Sequence, residues 1–212
     1  MCMKGVRNIL RPMVMLASLL SIALCFVACK NETDTTLNQQ QKSIENYLRS
    51  SHNPRLVEES EVGDSMSENP PFYTRWDMDI YRYIATYYDG GRDEQPVIED
   101  GTTFDMTYSA YIFDGKTPTI TELFATNDAE NLKKLQDAGL NTSYEWSSEP
   151  MQITLGNGEL LGSLETALEG CREGDEVEIY LTYPEAYGNK YIGKVPSKSA
   201  QMWVIKIENV TK

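Results

Sequence analysis

From Asp77 onward the apolar residues recur at every second position, in short segments separated by turn residues, and that period restricts the chain to antiparallel strands. Ile80, Arg82 and Ile84 alternate with Tyr81, Tyr83 and Ala85. Phe104, Met106, Tyr108, Ala110 and Ile112 alternate with Thr103, Asp105, Thr107, Ser109 and Tyr111, and Asp114-Gly115 closes the segment with a hairpin-type turn. The same pattern returns at Met151, Ile153 and Leu155, and at Val177, Ile179 and Leu181. In the last strand Trp203, Ile205 and Ile207 oppose Met202, Val204 and Lys206. Between these strands Leu161, Leu164 and Leu168 fall at i, i+3, i+7, with Gly170 placed to end a short helix. Ala129 to Ala138 forms a polar helical insertion anchored only by Leu132 and Leu135. The expectation is an α+β domain over 76–212, a curved antiparallel β-sheet wrapped around one short α-helix, with an insertion at about 119–149 beside it.

The first 28 residues read as an address, not as fold. Lys4, Arg7 and Arg11 precede a 16-residue apolar run, Met13 to Ala28. That is shorter than the roughly 20 residues of a spanning helix and matches an export signal. Its end, Phe26-Val27-Ala28-Cys29, resembles the lipobox of bacterial lipoprotein precursors. The resemblance implies cleavage before Cys29, acylation of that cysteine, and a body held by its lipid in the bacterial cell envelope. The outer membrane is the expected site, with the domain in the periplasm or at the cell surface. Residues 29–75 then read as a polar, flexible tether, with one possible short helix from Gln41 to Leu48 that puts Ile44 and Leu48 on one face. His52 reads as a solvated linker residue.

Charge and residue inventory remove several chemistries. The net charge is −13, and removal of residues 1–28, which hold three bases and no acid, makes the body three charges more acidic. Nucleic-acid binding draws on clustered Lys and Arg, so nucleic acid is not an expected partner. With one histidine, neither a Ser/His/Asp nor a Cys/His centre nor a multi-His zinc site can be assembled. The four cysteines, at 2, 25, 29 and 171, have neither disulfide-framework nor metal-ligand spacing, and Cys171 reads as a small buried hydrophobe. No metal and no cofactor is expected.

The segment Met151 to Gly188, MQITLGNGELLGSLETALEGCREGDEVEIYLTYPEAYG, is similar without a gap to the central motif of the FKBP-type peptidyl-prolyl cis-trans isomerases, although Pro184 falls one place late. Gly101 to Gly115 resembles that family's Tyr-bearing second strand and Asp-Gly turn, and Val195-Pro196 to Ile207 resembles its closing strand. The resemblance covers about Ile80 to Val210. It implies a pocket in which Tyr108, Leu161, Tyr187 and Trp203 act on the substrate, Leu161 through its backbone N–H and Tyr187 through its hydroxyl. Met151, Leu160, Leu164, Tyr191 and Val195 would complete the substrate-binding walls, with Leu164 as the floor and Tyr191 overhanging the mouth. Two departures are visible: Met151 and Leu164 replace aromatics, and Pro118-Thr119 stands where the family has Phe-Asp, which removes an aromatic wall and an acid.

The chemistry implied suits this inventory. Rotation about X–Pro meets a barrier of roughly 18–20 kcal/mol because it breaks amide resonance, and it needs neither proton transfer nor a nucleophile. A dry apolar cup favours the less dipolar twisted imide over the planar ground state. Three readings follow: a lipid-anchored isomerase that assists folding of exported proteins, a weakly active or inactive relative that binds proline-containing segments as a chaperone or adaptor, and a structural envelope lipoprotein. Proline-containing polypeptides and, through the lipid, a membrane are the expected partners; oligomeric state is left open.

Overall fold

The computed structural model describes residues 35–64, 67–139 and 146–211. The proposed export signal, its lipobox and Cys29 lie outside the described residues. The chain divides after Gln39, and the fold below is that of the unit Gln40–Lys212.

Eight strands form one curved, unclosed sheet: β1 (Val57–Glu58), β2 (Phe72–Trp76), β3 (Ile80–Ile84), β4 (Thr103–Phe113), β5 (Leu123–Thr126), β6 (Met151–Thr154), β7 (Glu176–Leu181) and β8 (Ala200–Thr211). Their order is β1-β2-β3-β7-β8-β4-β5, with β6 also paired to β4. All pairings are antiparallel except β1 with β2. The periodicity finds the five strands β3, β4, β6, β7 and β8; β1, β2 and β5 carry no clear apolar alternation and do not register.

Helices accompany the sheet: α1 at residues 40–46, which runs into a π-helical turn at Tyr47–Ser51, α2 (Ala129–Asp137) and α3 (Gly162–Leu168), with short 3-10 turns at Glu59–Asp64 and Arg92–Glu94. Helix α3 buries Ser163, Leu164, Ala167 and Leu168. Its C-terminal carbonyls have no basic residue in the last turn, and Arg82 of β3 reaches across to bond Ala167 O at 2.9 Å and Glu169 O at 2.8 Å. Gly170, at φ +78°, makes the turn that ends the helix and bonds Ile98 O.

The strand alternation sends two sets of side chains to opposite faces. On the inner face Phe104, Met106, Ala110, Val177, Ile179, Leu181, Trp203 and Ile205 enclose Leu164 and Leu168. On the outer face Tyr81, Tyr83, Phe113, Tyr180 and Met202 pack with Ile44, Tyr47, Leu48 and Leu56. The expected tether is therefore corrected from residue 40 onward: α1, the π turn and β1 are the outer cover of the sheet, and the domain begins at 40, not 76. Ile44 and Leu48 share a face as expected, but that face is fully buried. Polar anchors fix the cover at its rim. Arg75 of β2 holds Glu45 at 2.6 Å and Glu58 at 3.0 Å, and Gln40 bonds Lys198 O and Tyr183 N. Gly115, at φ +90°, has Ser43 of α1 against it where a β-carbon would stand.

His52 is not a solvated linker residue. It is 6% exposed, its Nε2 is 2.9 Å from Glu178 Oε2, and its Nδ1 faces Pro54 O. Burial opposes the charged ring, but the Glu178 carboxylate and the Pro54 carbonyl outweigh it and raise the His52 pKa. Tyr180 donates to the same carboxylate oxygen at 2.6 Å.

Candidate active site

Strand β4 is the backbone of the site. Its pairing with β5 reaches Ser109 and its pairing with β6 starts at Met106, so Thr107 and Tyr108 face a gap on that edge. Buried Asn127 fills the gap: Oδ1 accepts from Tyr108 N at 2.6 Å, and Nδ2 donates to Met106 O at 2.9 Å and Glu149 O at 3.1 Å. One side chain thus pins both ends of the insertion and the backbone that carries Tyr108.

From this platform four aromatic rings run in sequence. Tyr108 lies 5.6 Å from Trp203, centroid to centroid, at a tilt of 32°. Phe124 of β5 meets Trp203 edge-on at 5.9 Å and Tyr187 at 6.0 Å. Half-buried Leu160 and Leu161 pack against the inner cluster that holds Trp203 and Leu164. Tyr108, Trp203 and, through Phe124, Tyr187 therefore form one run of rings, and Leu161 packs against the same inner cluster, in which Leu164 is 1% exposed.

The electrostatics keep the site neutral. Desolvation raises the pKa of Tyr108; desolvation and then the neighbouring Tyr108 raise that of Tyr187. Both phenols stay protonated, so each is a neutral donor at neutral pH. Among the described residues nothing accepts from the Tyr187 hydroxyl or from the Leu161 amide, which stands just ahead of α3. The indole N–H of Trp203 is already engaged, with Gln201 Oε1 at 3.0 Å, so this ring offers its face and not its donor. Cys171 is fully buried and burial pushes its thiol up to about 11, which leaves it unreactive. Among the described residues no three His, Cys, Asp or Glu side chains gather to hold a metal, and no helix is long and apolar enough to cross a membrane.

Several expected wall residues stand differently. Tyr191 is 70% exposed and takes part in no aromatic contact among the described residues, so it does not close over the rings. Met151 is 39% exposed, at the margin of the site. Val195 is buried at 1%, within the tight turn where it exchanges backbone bonds with Ile192. The aromatic wall expected to be lost is present: Phe124 supplies it, nine positions past Gly115, from a strand beyond Pro118-Thr119. The next residue is Ala125, so the acid of the Phe-Asp pair has no counterpart. The signal that could have found Phe124 is the four-residue apolar segment Leu123 to Thr126, paired to β4 once the loop is allowed to be long. Helix α2 is not aligned with the rings, because Asn131 bonds Ser109 and Tyr111, on the face of β4 opposite to Tyr108.

Residues 131–208 match the family FKBP_C, FKBP-type peptidyl-prolyl cis-trans isomerase. The matched span includes Leu161, Tyr187 and Trp203 and stops short of Tyr108 and Phe124. Trigger factor of Geotalea daltonii (strain DSM 22248 / JCM 15807 / FRC-32) is 35% identical over 65 residues, 30% of this chain and 15% of its own length. Among solved structures, the three FKBP domains of wheat FKBP73 are similar at a TM-score of 0.48 and 14% identity, over 67% of this chain and 51% of that one. The chain spans well under two thirds of either relative.

Proposed function

We propose that this chain, which carries an FKBP-type peptidyl-prolyl cis-trans isomerase domain, isomerises X–Pro bonds in exported polypeptides while held at the bacterial envelope through an acylated Cys29. The observation that carries the enzymatic part is the continuous chain of rings, Tyr108, Trp203, Phe124 and Tyr187, beside the unbonded Leu161 amide. A prolyl ring laid on the indole face loses its water. The twisted imide, being less dipolar, is then stabilised relative to the planar one. The Leu161 N–H and the Tyr187 hydroxyl hold substrate carbonyls and fix the peptide across the cup. Leu160 packs against the inner cluster that holds Leu164 and supplies the aliphatic wall beside it. The anchor and the envelope location, with the outer membrane expected, are supported by residues 1–29 of the sequence.

A second reading has its own support. Ala125 in place of an acid and aliphatic Leu164 in place of an aromatic floor favour a module that grips proline-containing segments with little turnover. A protease-coupled assay on short X–Pro peptides separates the two. The enzyme reading expects a rate above the spontaneous one that falls in Trp203→Leu and Tyr187→Phe. A wild-type rate equal to the spontaneous one leaves only the binding module. Labelling with a radioactive fatty-acid precursor, lost in Cys29→Ala, tests the anchor.

A further inference from the structure

At the other end of α3, away from the rings, a cavity of about 270 Å³ is lined by Arg82, Arg92 and Arg172, with Phe72 and Tyr87 as an apolar wall. We propose that it is a binding site for a small oxyanion, a carboxylate or a phosphate. The three guanidiniums are not equivalent. Arg92 is held bidentately by buried Asp175, at 2.7 Å through both Nε and Nη2, so its charge is matched. Arg82 has no carboxylate within ion-pair distance among the described residues. Its Nη1 is fixed by the uncharged carbonyls of Ala167 and Glu169, its plane lies 5.0 Å from the Trp76 ring, and its Nε is buried with no partner. Arg172 is fixed the same way, Nη1 on the carbonyls of Asp93 and Gln95, and its nearest carboxylate, 3.8 Å away, belongs to an Asp93 side chain that is 94% exposed.

Carbonyl bonds orient a guanidinium without neutralising it, and a buried N–H left without an acceptor is costly. One oriented guanidinium without a carboxylate, Arg82, and a second, Arg172, paired only at 3.8 Å to an exposed side chain, share one small cavity, an arrangement that accepts a planar carboxylate or a phosphate through paired hydrogen bonds. The setting sharpens the point, because the chain as a whole is strongly acidic, with a net charge of −13. The volume admits a small anion and not a peptide. Glu59 and Asp93 also line the cavity and are the internal competitors for the same donors, Asp93 already at 3.8 Å from Arg172.

The experiment is a calorimetric titration of the full chain with inorganic phosphate and, separately, with acetate, at ionic strength held constant by chloride. Saturable one-site binding of either anion in the millimolar range or tighter is expected, and the anion that saturates identifies the chemistry. Glu59→Gln, which removes one competitor from an exposed segment, is expected to tighten binding at least threefold. Arg172→Gln is expected to weaken it at least tenfold. Arg82→Gln removes a helix cap and is compared only if its circular dichroism is that of the wild type. A response to both anions no larger than to chloride, or binding unchanged in both Glu59→Gln and Arg172→Gln, overturns the proposal. None of these residues lines the ring site, so isomerase rates on short peptides are expected to be unchanged in Glu59→Gln.

Discussion

The two faces of the sheet are built from different materials. The inner face is mostly branched and aliphatic, closed by α3, and its aromatic side chains gather chiefly where Tyr108, Trp203, Phe124 and Tyr187 meet. The outer face is tyrosine-rich: Tyr47, Tyr73, Tyr81, Tyr83 and Tyr180 are all buried there beneath α1 and the π turn. Each ring has a hydroxyl to satisfy, and the partners range from near neighbours to Thr117, 70 positions from Tyr47. Tyr81 donates to Met78 O at 2.8 Å, Tyr180 to Glu178 at 2.6 Å, and Tyr73 accepts from Arg49 at 3.2 Å. An alternation of tyrosine with glutamate along a strand has the appearance of a solvent face. It becomes a core face only because a distant segment covers it.

The comparison is broken most forcefully by Leu48→Ala. If α1 and the π turn that follows it are as much a part of the core as α3, this change costs about 2–5 kcal/mol, as Leu168→Ala does, in urea unfolding. A cost near zero would return residues 40–58 to the status of a tether. Asn127→Ala comes next. It strips the Tyr108 amide and two carbonyls of their buried partner, and is expected to cost about 1–3 kcal/mol and to lower isomerase activity at temperatures where the fold persists. Leu48→Ala under the same conditions should leave turnover on short peptides unchanged, because it touches the other face.

Phe124→Leu keeps the volume of an apolar side chain but removes the ring that joins Trp203 to Tyr187. It is expected to lower kcat/KM by roughly tenfold, equivalent to about 1.4 kcal/mol, with little change in unfolding midpoint. An unaltered kcat/KM would exclude Phe124 from the site. The smallest effect is the pH dependence of the outer face. The folded-state pKa of His52 is raised above 6.5, so the stability it contributes is complete below that pH and is lost as pH rises through the folded value. Unfolding midpoints measured from pH 6 to 9 should decline across that window in the wild type and decline less in His52→Gln; equal slopes would remove the His52–Glu178 pair from the account.

Much of the inner face was legible in advance. Period-two alternation assigned Phe104, Met106, Tyr108 and Ala110 to one side of β4, and Trp203, Ile205 and Ile207 to one side of β8, and these sets face the same core. Tyr108 and Trp203 were legible as inner-face residues because they lie on such strands. Tyr191 and Val195 were not, since they sit in a loop whose path follows backbone bonds such as Ile192 with Val195 and not any side-chain period. Phe124 was hidden by loop length: a rigid count from Gly115 points to Pro118-Thr119, whereas pairing of Ala125 with Ala110 brings the preceding ring into the site.

By itself the sequence determined five of the eight strands, β3, β4, β6, β7 and β8, which of their side chains share a face, and that a short helix ends at Gly170. Those properties follow from residues a few positions apart, whose relation the backbone geometry fixes. The tertiary structure alone decided what becomes of the outer face. Whether Tyr180 and Glu178 meet water or meet His52, 126 positions away along the chain, depends on docking of a remote segment, and burial of that kind leaves no local period to be read.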